Sequence, residues 1–189
     1  ICVNDINTRV DLVFARVWPQ PNEPFEAGLG GFSDWWQANM QSVQRDVAQM
    51  FSGRANLPGG VAWLGSLCNS AAYSFCGNAS GFFFGGPAPN TYDYDISVTA
   101  HELGHNFGTH HTDFYGLDNC NTGQATPQRG TIMSYCNQTV SGGMGVLDLR
   151  FHTLTQEKMR DYIATVTNAT CVVFDCNQNG IGDAIDIGT

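Results

Sequence analysis

The order of apolar and polar positions divides the chain into a few short elements. Residues 10–18 (VDLVFARVW) are β-branched and aromatic and stop at Pro19 and Pro21, which predicts a strand followed by a turn. Residues 22–31 read as loop. From residue 32 the period changes. Trp36, Met40, Val43, Val47 and Met50 recur at helical spacing, Ser33 stands where an N-cap would, and Gly53 follows. That pattern predicts a long helix over 32–51. Residues 60–64 (GVAWL) and 71–75 (AAYSF) predict two short strands. Residues 77–90, rich in Gly and Pro, read as loop; Phe82, Phe83 and Phe84 within it read as a buried plug or a cleft wall. A second long helix is predicted over 96–107 and ended by Gly108, then a polar loop over 109–130. A third helix is predicted over 155–165, with Met159, Tyr162 and Ile163 as its apolar side. From Asn168 the character changes, which divides the chain into a main domain, 1–167, and the start of a small module, 168–189.

Composition narrows the class. Of 189 residues, 42% are hydrophobic and only 13% charged, too apolar for a disordered chain and sufficient for one packed core. The net charge is -9, Lys158 is the one lysine, and the arginines are scattered. No basic patch is available for nucleic acid or for an anionic membrane surface. No run of eighteen apolar residues predicts a membrane span, and the first residues lack the layout of a signal peptide.

Seven cysteines, none in a C-x-x-C pair, predict at least two disulfides and an extracellular, secreted protein. The short loop favours Cys68 with Cys76, Cys120 with Cys136 comes next, and Cys2 with Cys171 would tie the ends, leaving Cys176 over. Sequons begin at Asn78, Asn137 and Asn168, and chance in an Asn- and Thr-rich chain is the preferred reading of them.

The candidate chemistry lies in HELGHNFGTHH, residues 101–111. Residues four apart on a helix share a face, so His101 and His105 can reach one ion. Glu102 lies beside that face, where it can contact a water. Gly108 lets the backbone turn, and His111 can return as a third ligand. Three protein ligands with one open position is the pattern of a catalytic zinc site. His110 is the competing third ligand, disfavoured by the spacing. His152 reads as a packed or hydrogen-bonded histidine.

These residues resemble the signature of the metzincin clan of metallopeptidases, and Met133 in TIMSYC (131–136) is similar to the clan's methionine turn. Within the clan, RDVAQMFSGR (45–54), GVAW (60–63) and residues 100–108 look most like the reprolysin (adamalysin- and ADAM-type) group, bacterial members in particular. The resemblance covers roughly residues 8–165. It implies a mixed α/β metzincin fold: a twisted sheet, a long zinc-binding helix and a C-terminal helix. Only nine residues precede the 10–18 run, so the usual first strand and helix are expected to be lacking, or held as a separate N-terminal fragment. The resemblance also implies an endopeptidase taking an extended polypeptide along an edge strand, for which residues 72–75 are the candidate. Residues 142–147 (GGMGVL) are the candidate wall of the S1′ pocket, taking an apolar P1′ side chain. Thr112 stands where typical reprolysins carry Asp, which suggests a sister group. Tyr135 follows Met133 by two residues. In related metzincins a tyrosine at that offset approaches the zinc and can serve the oxyanion; the alternative is that it packs beside Cys136.

In the tail, Asp175, Asn177, Asn179, Asp183 and Asp186 occupy the oxygen-ligand positions of a calcium loop, with Gly180 at the turn. The segment resembles thrombospondin type 3 or dockerin repeats; the alternative is an acidic linker. The expected function is therefore a secreted zinc endopeptidase in which Glu102 is the general base, with a calcium site in the tail. A pro-segment could cap the zinc. The competing function is a metzincin-fold binding protein without peptidase activity.

Overall fold

A computed structural model describes residues 2–18, 23–26, 28–54, 56–57, 59–79, 94–122, 129–138, 146–166 and 171. Among these, helices α1 (Cys2–Ile6), α2 (Leu29–Asn39), α3 (Tyr94–Asn106) and α4 (Thr153–Val166) surround strands β1 (Ala48–Phe51), β2 (Gly60–Ala62) and β3 (Tyr73–Cys76). The sheet order is β1-β3-β2. β1 runs parallel to β3, with Ala48 opposite Tyr73, and β2 runs antiparallel to it, with Gly60 opposite Cys76. The expected mixed α/β architecture, with a long histidine-bearing helix and a C-terminal helix, is present.

The predicted helix over 32–51 is in fact a helix and a strand. α2 starts at Leu29 with Gly28 as N-cap, and Ser33 lies inside it, donating to the Gly30 carbonyl. It ends at Asn39, whose amide donates to the Trp35 carbonyl at 2.8 Å. The chain then turns and pairs as β1, where Ala48 and Met50 are buried and alternate with more exposed neighbours. Helical spacing and strand alternation coincide over so short a stretch; the ladder offered by β3 selects the strand. Residues 10–18 form no strand. Leu12, Val13 and Val17 are 84%, 70% and 87% exposed.

Two cores hold these elements. One joins α1, α3 and α4 through Ile6, Ala100, Met159 and Ile163, with Phe107, Met133 and Phe151 between them. The other packs α2 on the sheet, with Phe32 against Tyr73 and Phe75 beneath. Asn106 closes the end of α3: its buried amide nitrogen donates to the Trp63 and Tyr73 carbonyls and the Ser66 hydroxyl, at 2.9–3.0 Å. That bond set fixes the helix end against β3 and the turn that follows β2.

Among the described residues the disulfides are Cys68–Cys171 and Cys120–Cys136, and Cys76 is a free, buried thiol. The second pairing is the expected one. The expected Cys68–Cys76 and Cys2–Cys171 pairs are corrected: Cys76 lies within β3, facing the core, while Cys68 meets the chain returning after α4. No helix among the described residues is long and apolar enough to cross a membrane. Tail residues Asp175, Asn177, Asn179, Asp183 and Asp186, like Phe82 to Phe84, lie outside the described residues.

Candidate metal centre

α3 delivers His101 and His105 from successive turns on one face, as their spacing predicts. Gly108, at φ +89°, then reverses the chain; a Cβ there would stand 2.6 Å from the Tyr162 ring, so close packing as well as conformation requires glycine. The turn returns His111. The Nε2 atom of His111 lies 3.0 Å from Nε2 of both His101 and His105.

The other ring nitrogens decide what those three atoms can be. His101 Nδ1 donates to the Ile132 carbonyl at 2.6 Å and His105 Nδ1 to the Thr109 carbonyl at 2.9 Å. A carbonyl only accepts, so both Nδ1 atoms carry the proton and both Nε2 atoms present lone pairs. At most one proton, from His111, could lie among three converging nitrogens. A cation satisfies all three at once. Zinc–imidazole bonds in a tetrahedron separate the nitrogens by about 3.3 Å, close to the spacing present. Burial lowers His101 to about 3, with His105 adding to the effect, and burial lowers His105 to about 4. His111 is lowered too, again first by burial. The three rings are thus held neutral, the form that binds metal. Two other groups bring an aspartate near paired cysteines, but those sulfurs are committed to the disulfides.

The triad forms the floor of a cleft of about 610 Å³. Glu102 lines it, yet is only 4% exposed, and its Oε2 is buried without a hydrogen-bond partner. Burial raises its carboxyl to about 8. Beneath the triad, Met133 is fully buried against Gly104; a Cβ on Gly104 would meet its sulfur at 2.6 Å. Tyr135 lines the cleft with its ring centroid 4.3 Å from that of His111. His110 instead stacks on Phe114 at 4.0 Å and is outside the triad. His152 accepts the Leu154 backbone N–H at the start of α4.

One wall of the cleft is β2. The expected edge strand, residues 72–75, is corrected: β3 is central, and β2 carries the edge that faces the cleft, through Gly60, Val61 and Ala62. Of the expected S1′ wall, residues 142–145 lie outside the described residues, and Leu147 lines the cleft. Thr112, in the place of the expected Asp, donates its hydroxyl hydrogen to Asp118, and its N–H bonds the Met133 carbonyl at 3.0 Å. Asp118 in turn accepts the Cys120 N–H at 3.0 Å. The motif located the histidines and Glu102. It did not reveal Gly60, Asn106, Asp118 or the Ile132 carbonyl, which reach the site through distant pairings without a local signature.

Comparison with known families matches residues 14–144, more than two thirds of the chain, to metallo-peptidase family M12, reprolysin type. With a neutral histidine triad, a buried glutamate and a methionine-floored turn at one cleft, the chain belongs to the reprolysin-type metallo-peptidase family M12.

Proposed function

We propose that the chain is a zinc endopeptidase, with His101, His105 and His111 as ligands and Glu102 as general base. The observation that carries this reading is the convergence of three histidine Nε2 atoms beside a buried glutamate at an open cleft. Bound there, zinc would act as a Lewis acid on the scissile carbonyl and lower the pKa of water at the open position. Glu102 accepts a proton from the attacking water and returns it to the departing amine as the C–N bond breaks. Tyr135, which lines the cleft beside His111, donates its phenolic hydrogen to the oxyanion as the carbonyl becomes tetrahedral. The substrate backbone pairs with the β2 edge, and its P1′ side chain lies toward Leu147.

The reading extends beyond the site. Two disulfides support a secreted, extracellular location. Residues 1–167 form the catalytic domain, and calcium binds the tail through Asp175, Asn177, Asn179, Asp183 and Asp186, supported by sequence spacing. A peptidase assay on the full chain tests the main proposal. Hydrolysis abolished by a chelator and restored by zinc supports it; zinc binding without hydrolysis of any peptide in a diverse library would favour a binding protein.

A further inference from the structure

We infer that Gly60 is a positioning residue for Glu102: the bare backbone of the edge strand is the wall that fixes where this carboxylate rests. The inference builds on the peptidase reading above. Gly60 begins β2, opposite Cys76 of β3, and faces α3. A Cβ built on it would stand 2.7 Å from Glu102 Cδ and 2.8 Å from Cγ, and closer still to Oε1. Carbon atoms in contact lie about 3.5–4.0 Å apart, so no side chain fits while Glu102 stays in place.

Conformation does not explain this glycine. Gly60 is outside the left-handed φ range that Gly28, Gly65, Gly108 and Gly116 occupy. Glycine inside a strand weakens it and commonly marks a close approach by another group. Here the approaching group is the Glu102 side chain.

Two further observations make the wall matter. Glu102 Oε2 has no hydrogen-bond partner, so no polar tether from that oxygen fixes the carboxylate. The strand end, by contrast, is pinned to the helix that carries Glu102. The Tyr94 hydroxyl, at the first residue of α3, lies 3.2 Å from both the Gly59 and the Gly77 carbonyl, which share its one hydrogen. Helix, strand end and carboxylate therefore form one packed unit, in which the missing side chain of Gly60 defines the space left for Glu102.

Gly60→Ala tests this in the full chain loaded with zinc. We expect kcat to fall about 10–100-fold with KM within about twofold of wild type and zinc content unchanged. A folded Gly60→Ala variant with wild-type kcat, or one altered only in KM, would overturn the inference. Packing is read separately from activity. The melting temperature lost in Gly60→Ala should be recovered in Gly60→Ala/Glu102→Ala, where the obstructing side chain is gone. The same loss in both backgrounds contradicts the contact. If Gly60→Ala does not fold, a folded double variant supports the inference and an unfolded one overturns it. A wild-type chain that binds zinc but hydrolyses nothing removes the peptidase reading, while the melting comparison still tests the contact between Gly60 and Glu102.

Discussion

The histidine-bearing region and the segment 10–18 both look decisive in sequence, yet they end differently. Around α3, every strong local signal meets a partner from elsewhere in the chain. His101 meets the Ile132 carbonyl, Gly104 meets Met133, Gly108 meets Tyr162, and Asn106 meets Trp63 and Tyr73. The segment 10–18 has an equally strong strand composition, but Leu12, Val13 and Val17 face solvent and no strand forms. A local pattern becomes structure where a distant surface completes it.

The largest expected effect comes from the completed region. Glu102→Gln should keep zinc and fold while activity drops about 10²–10⁴-fold, as peptide hydrolysis and zinc content together would reveal. Near-normal turnover would remove the assigned role. Tyr135→Phe should lower kcat about 10-fold or more with little change in KM. Wild-type kcat would leave Tyr135 only its packing against His111.

Gly104→Ala is the sharper structural test. Its Cβ would meet the Met133 sulfur at 2.6 Å and the Phe151 ring at 3.2 Å, inside the main core. Overpacking there should cost about 1–3 kcal/mol, read as a melting-temperature fall of about 3–9 °C. Leu12→Ser, in the uncovered segment, should change stability by less than about 0.5 kcal/mol. A loss at Leu12 as large as that at Gly104 would break the contrast between the regions.

The metal-free chain should also respond to pH in a characteristic way. His101 and His105 titrate near 3 and 4 when folded but near 6.5 when unfolded. Between those values the unfolded chain binds more protons, so stability falls as pH drops below about 6.5. Glu102 acts oppositely: raised from 4.5 to about 8, it binds more protons when folded, and its contribution is lost as pH rises toward 8. Between pH 4.5 and 6.5 the two histidines outweigh it. Denaturant melts of the metal-free chain should therefore show a maximum near pH 6.5, and a steady rise from pH 6.5 to 8 would contradict these assignments.

The same contrast accounts for what was legible in the sequence. His101, Glu102, His105 and His111 were readable because one helix and one turn place them, and both are encoded within eleven residues. α3 and α4 were readable for the same reason. β1 was not, because Met40, Val43, Val47 and Met50 fit a helix until the parallel ladder to β3 is known. The edge strand was misplaced because strand order is a property of three segments together. Loop length favoured Cys68 with Cys76, but the core position of Cys76 and the return of the chain after α4 bring Cys171 to Cys68.

Zinc-edge X-ray absorption on the full chain, loaded with one equivalent of zinc, tests the central claim most directly. The account predicts a four-coordinate shell of three imidazole nitrogens and one exchangeable oxygen at about 2.0–2.1 Å, lost in His111→Ala. A shell containing sulfur at about 2.3 Å, or one of oxygens alone and unchanged in His111→Ala, would contradict it.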